Sequence, residues 1–188
     1  DYVLDVRSVP TSSINFPNLR VTQLDEVASA TLKTGDNLSI SYQVSNVGTL
    51  GTGASSWVDR VVISPNSVYG DGDDIQLALV PRSGALAAGQ SYPVTRNVVL
   101  PDGLPGSYYL MVRTDSANAV DEALFEGDNT TATLNSFPVG LKDYPDLVIE
   151  DLNVAGPDGS GNYDIAWKLA NRGTASAPTG QETRVQVV

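Results

Sequence analysis

Between Leu38 and Thr49 the chain alternates apolar and polar residues at strict period two. Leu38, Ile40, Tyr42 and Val44 are separated by Ser39, Ser41 and Gln43. That pattern predicts a strand with one face on a core and the other in water. Asn46-Val47-Gly48-Thr49 follows with turn chemistry, because glycine tolerates positive φ and asparagine bonds locally to backbone. The pattern returns at Tyr163–Thr174, where Ile165 stands for Ile40, Trp167 for Tyr42 and Leu169 for Val44, and Asn171-Arg172-Gly173-Thr174 closes the run. Pro17-Asn18-Leu19-Arg20-Val21 likewise recurs as Pro145-Asp146-Leu147-Val148-Ile149, 128 positions on (145 − 17). That period predicts a tandem repeat, too long for a solenoid turn and suited to an independent sandwich domain.

Residues 17–143 then form one complete unit of about seven antiparallel strands. The strands are expected at Leu19–Asp25, from about Asn37, and at Trp57–Ser64, Ile75–Val80, Tyr92–Leu100, Ser107–Thr114 and Thr130–Val139. Arg96 falls in register with apolar Val94 and Val98, which predicts a bulge or an edge position. Between Ser116 and Glu126 there is enough Ala, Glu and Leu for a single helical turn. Residues 1–16, with an alternating run at Tyr2–Val9, read as a linker or the tail of a preceding repeat. Residues 144–188 read as the first strands of the next repeat, at Asp146–Asn153, Tyr163–Ala170 and Thr183–Val188. Beginning and ending inside repeats, the chain reads as an excerpt. Three strands bury too little apolar surface to stand alone, so docking on the complete domain or on another chain is expected.

Composition narrows the picture. With 17 glycines, 11 prolines and no long helical periodicity, the chain is expected to be all-β. It holds no cysteine and no histidine, which removes thiolate chemistry, the commonest general base and the usual zinc ligands. A net charge of −11 disfavours nucleic acid and anionic membrane as partners and suits a surface that collects divalent cations. No apolar run approaches the roughly 20 residues of a spanning helix, so direct membrane insertion is not expected.

The order of short motifs is specific. A Pro-Asn-Leu opening at 17–19 is followed by Tyr42-Gln43-Val44-Ser45-Asn46-Val47-Gly48-Thr49. Val61-Val62-Ile63-Ser64 then precedes an acidic loop ending Asp73-Asp74-Ile75-Gln76-Leu77. Next come Leu86-Ala87-Ala88-Gly89-Gln90-Ser91-Tyr92, Val99-Leu100-Pro101, Gly106–Asp115 and Asn118–Asn129. The sequence resembles the bacterial cell-adhesion-related repeat family, CARDB, over residues 17 to 139 and in part over 145 to 188. The resemblance implies an immunoglobulin-like sandwich carried in tandem on large secreted or surface proteins. Where that family's loop usually ends in paired asparagines, this chain has Gly127-Asp128-Asn129.

Two acidic loops are candidates for chemistry. Asp115, Asn118, Asp121, Glu122, Glu126, Asp128 and Asn129 crowd one loop, and no Lys or Arg falls between Arg113 and Lys142. The carboxylates repel one another, and a hard cation that takes six to eight oxygens would turn repulsion into coordination. Calcium is the expected ligand there, with Asp115, Asn118, Glu122, Glu126, Asp128 and Asn129 as its oxygens. A weaker second choice is Asp71, Asp73 and Asp74; the alternative for that loop is a solvated hairpin tip. It lacks the residue order of an EF-hand. No nucleophile–base pair can be assembled, and a lone sandwich offers no evident cleft for paired-carboxylate glycosidase work. Trp57 is either a core side chain or a sugar-stacking face; Trp167, matching Tyr42, is expected in a core. The expected role is a non-catalytic adhesion or spacer module of a large secreted or cell-surface bacterial protein, stiffened by calcium. The alternative is an accessory substrate-binding module of a secreted polysaccharide- or protein-degrading enzyme. The expected partners are neighbouring repeats and a surface glycan or protein.

Overall fold

The computed structural model describes residues 15–28 and 31–178, which fall into two compact units divided between Leu141 and Lys142. The runs expected at Tyr2–Val9 and Thr183–Val188 lie outside the described residues.

The first unit is built of β1 (Leu19–Leu24), β2 (Leu32–Lys33), β3 (Asn37–Asn46), β4 (Ser56–Ser64), β5 (Ile75–Ser83), β6 (Ser91–Val99), β7 (Gly106–Arg113), β8 (Thr130–Ala132) and β9 (Phe137–Gly140). One sheet has the order β1-β3-β6; the other runs β2-β9-β7-β4-β5, with β8 also on β7. Every pairing is antiparallel except β2 with β9. The result is an all-β, immunoglobulin-like sandwich.

The alternation in β3 does what the pattern predicts: Leu38, Ile40, Tyr42 and Val44 are buried. They share one apolar cluster with Tyr108, Leu110 and Val112 of the opposite sheet, and with Leu19, Val21, Trp57, Val61 and Ile63. Burying each large aliphatic side chain is worth about 1.5–3 kcal/mol, so this two-sided cluster dominates the stability of the unit. Trp57 is core: its indole Nε1 donates to the Tyr92 hydroxyl at 3.0 Å. Arg96 lies on the edge strand β6, whose pairing with β3 carries no bulge. A charge in an inward register is affordable there, and it blunts an open edge.

One local expectation needs correction. The single strand expected over Thr130–Val139 is two, β8 and β9, both on the same side of β7. Thr133 interrupts them, its hydroxyl accepting from the Leu110 amide at 3.2 Å and its own amide reaching the Leu110 carbonyl at 2.9 Å. The short parallel β2 was not legible as a strand at all, because two residues carry no period.

The second unit contains β10 (Leu147–Ala155) and β11 (Asp164–Asn171), an antiparallel pair with a register shift between Glu150 and Asn153. It rebuilds the local bonding of β1 and β3. The Asn18 amide donates to Asn46 Oδ1 at 3.1 Å, and the Asp146 amide to Asn171 Oδ1 at 2.9 Å. The Gly48 and Gly173 amides reach the same asparagine oxygens at 3.1 and 3.0 Å. Asn46 Nδ2 donates to the Leu50 carbonyl and Asn171 Nδ2 to the Ala175 carbonyl, both at 2.7 Å. Each glycine is required: a Cβ at Gly48 would collide with the Phe16 carbonyl, and one at Gly173 with the Tyr144 carbonyl. Trp167, expected in a core, is 42% exposed, and Ile165 and Leu169 are also exposed. The reason is that β10 and β11 form a two-stranded sheet with no facing layer among the described residues of that unit.

Candidate cation site

The acidic loop begins where β7 ends. Asp115 is buried and takes the left-handed conformation (φ 43°), which aspartate tolerates better than most residues. Both of its carboxylate oxygens are used in the turn: Oδ1 accepts from the Ala119 amide and Oδ2 from the Val120 amide, each at 2.8 Å. That turn drives Val120 into the core. Asn118 is exposed, and its Oδ1 accepts from Arg113 at 3.4 Å. Asp121 caps the Ala123 amide at 3.1 Å ahead of a single 3-10 turn, Ala123–Phe125.

The far end of the loop is different. Glu122 is fully buried, and its Oε1 accepts from the Leu19 amide of β1 at 2.6 Å. Glu126 folds back so that its Oε1 accepts from the Glu122 amide at 2.9 Å. Asp128 Oδ2 accepts from Asn18 Nδ2 at 3.3 Å and lies 3.5 Å from Arg20 Nε. These bonds leave Glu122 Oε2, Glu126 Oε2, Asp128 Oδ1 and Asn18 Oδ1 buried without any hydrogen bond, along with both polar atoms of the fully buried Asn129 side chain. An unsatisfied buried polar group costs about 1–3 kcal/mol, and more when charged. Native structures rarely tolerate several together without something to fill them. Burial pushes the Glu122 carboxyl up to about 7; the Leu19 amide and nearby Asn129 pull it down, while Glu126 and Asp115 raise it further. This is a place short of positive charge.

Of the residues expected to act together, Glu122, Glu126, Asp128 and Asn129 each keep a buried side-chain oxygen without a hydrogen bond. Asp115 is occupied in its own turn and Asn118 is turned to Arg113. Asn18 was missed. Its only signal in the sequence was a polar residue opening a strand, with Asp146 at the corresponding place ahead of β10.

In the second loop, the carboxylates of Asp71, Asp73 and Asp74 lie within 4.8 Å of one another, which no other trio of acidic residues does among the described residues. Asn66 Nδ2 donates to both Asp71 and Asp73 at 2.9 Å, Ser64 Oγ to Asp73 at 2.8 Å and the Gly70 amide to Asp74 at 2.7 Å. The Asn66 bond holds the Asp71 carboxyl below its ordinary range. Most of these oxygens are satisfied by the loop itself, so the tip is stable as a solvated turn.

One buried acidic residue escaped the sequence reading. Asp59 is buried in β4, facing inward in register with Trp57 and Val61. Its Oδ2 accepts from the Tyr42 and Tyr92 hydroxyls at 3.1 and 3.0 Å, and its Oδ1 from Thr114 Oγ1 at 2.7 Å. Burial pushes its carboxyl up, against the pull of those three hydroxyls. With no open face, this network is structural.

Two antiparallel sheets packed face to face around one apolar cluster define an immunoglobulin-like β-sandwich module. The chain belongs to the CARDB family, whose profile matches residues 16–133; CARDB is a non-catalytic, adhesion-type domain. No curated protein matches the chain. Among solved structures, it is similar to the CARDB domain of a Pyrococcus furiosus protein, crystallised in complex with di-metal ions. The identity is 19% and the TM-score 0.47, over 71% of this chain and 99% of that one. The solution structure of the same domain is 22% identical, with a TM-score of 0.44 over 69% and 100% of the two chains. β-Glucosidase 3B from Thermotoga neapolitana is 16% identical, with a TM-score of 0.41. The match covers 66% of this chain and only 16% of that enzyme. Among the described residues no helix is long and apolar enough to cross a membrane.

Proposed function

We propose that this chain is a segment of a tandem array serving as a spacer or adhesion module in a large secreted or cell-surface bacterial protein. The observation that carries the array is the corner around Asn46 and Gly48, reproduced bond for bond around Asn171 and Gly173. A corner needing both a close glycine approach and three matched asparagine bonds is hard to reach twice except by duplication. The partners of such a module are its neighbouring repeats and a surface glycan or protein. Calcium stiffens it by occupying the acidic loop between β7 and β8, with Asp71, Asp73 and Asp74 as a weaker second position. The unsatisfied oxygens of Glu122, Glu126, Asp128 and Asn129 support that ion. The test is calorimetric melting of the chain in calcium and in chelator. A higher melting temperature in calcium is expected; an unchanged one, with no ion recovered with the protein, overturns the calcium reading. Turnover of glycoside or peptide substrates by the purified chain would overturn the non-catalytic one.

A further inference from the structure

The residues that meet these acidic side chains do not all come from the loop. The segment Phe16–Asn18 is gripped on one side by the β3 corner: the Phe16 carbonyl accepts from the Thr49 amide at 3.0 Å, and the Asn18 carbonyl from the Val47 amide at 2.7 Å. On its other side lie acidic groups, with the Leu19 amide on Glu122 and Asn18 Nδ2 on Asp128. Asn18 is 7% exposed, and its side-chain oxygen has no hydrogen bond, as is true of the nearby Glu122, Glu126, Asp128 and Asn129 oxygens.

We propose that Asn18 is a cation ligand, and that one calcium-sized ion held between Asn18 Oδ1 and the oxygens of Glu122, Glu126, Asp128 and Asn129 clasps the segment leading into β1 onto the loop between β7 and β8. The proposal rests on reading that loop as a cation site, and it makes occupancy a control on how firmly the preceding segment is attached. Five protein oxygens with one to three waters satisfy the six to eight ligands of calcium. Magnesium, which demands a near-ideal octahedron and gives up its waters reluctantly, suits such a mixed set less well than calcium. Binding draws Asn18 and Asp128 together around the ion, and the Leu19 amide stays on Glu122.

Titration calorimetry with calcium chloride alone, on the whole chain and on single variants, tests this. Asn18→Ala is expected to weaken calcium by at least about tenfold, since it removes a neutral ligand, and Asn18→Asp to strengthen it by adding charge. Asn18→Asp also keeps the test open if Asn18→Ala fails to fold. Calcium is further expected to slow hydrogen exchange at the Asn18 and Leu19 amides, and magnesium to do so less. If the unaltered chain binds calcium but both Asn18 variants bind it equally well, the clasp is wrong while the loop reading survives. If Asp73→Asn abolishes binding and Glu122→Gln does not, the ion sits in the other loop and the clasp is again wrong. If the unaltered chain binds no calcium, both readings fall together.

Discussion

A single carboxylate, Asp59, shows how differently acidic residues are treated in this chain. It sits in the core and receives three hydroxyl hydrogen bonds, so its charge is dispersed. Glu122, equally buried, receives one backbone amide and leaves an oxygen bare. Asp59→Ala strands the Tyr42, Tyr92 and Thr114 hydroxyls, and a loss of about 3 kcal/mol or more is expected in urea unfolding. An unchanged midpoint would show that water replaces the carboxylate without cost. The pH dependence has a definite sign. Burial raises the folded-state pKa of Asp59 above its ordinary 3.8. Its contribution to stability is therefore fully present below about pH 3.8 and is lost as pH rises through the raised value. The stability of the unaltered protein relative to Asp59→Asn should accordingly fall as pH rises from acid. A flat difference across that range would mean that the folded-state pKa is not raised.

At the scale of elements, the corner following β3 and the one following β11 use the same asparagine and glycine for the same purpose. The glycine lets the chain pass against the carbonyl three residues ahead of the opening strand, and the asparagine stitches the two segments together. Gly48→Ala should cost about 1–3 kcal/mol through backbone collision, measured by the melting of the first unit. Gly173→Ala should leave that transition in place and raise hydrogen exchange in β10 and β11 alone; an equal effect of both on one transition would mean that the units melt together. The two hairpins differ in what faces them. β3 packs across a core, whereas Ile165, Trp167 and Leu169 are exposed. Amides of Asp164–Asn171 should therefore exchange faster than those of Asn37–Asn46, because a two-stranded ribbon without a facing layer is marginal in water. Equal protection would reveal a covering layer.

For the whole molecule, the dominant feature is a net charge of −11 with several carboxylate oxygens buried without a hydrogen bond, most of them in the loop between β7 and β8. A divalent ion held by that loop would relieve the repulsion and satisfy its oxygens. At 100 times its dissociation constant, calcium would stabilise the fold by about 2.7 kcal/mol. Sites of extracellular modules work at about 10⁻⁴–10⁻³ M, so melts across that concentration range are the informative ones. Sodium chloride at matched ionic strength should give a smaller rise, since screening relieves repulsion but supplies no ligand-filling ion. An equal rise in both salts would reduce the loop to a screened surface charge.

Strand alternation, turn residues and the 128-residue echo were enough to read the sandwich and to place the acidic loop between β7 and β8. A period of two is set by which face of a strand meets water, and that is local information. The tertiary structure alone decided the rest. Asp115 looked like a ligand because it is acidic and adjacent, yet its oxygens are spent within five residues. Asn18 looked like a strand opener, yet it lies beside Asp128, which is 110 positions away in the chain. Whether a carboxylate is satisfied depends on which donors the fold brings to it. For Glu122 and Asp128 those donors, the Leu19 amide and Asn18 Nδ2, come from the segment opening β1 on the other sheet, so no short window of sequence contains them.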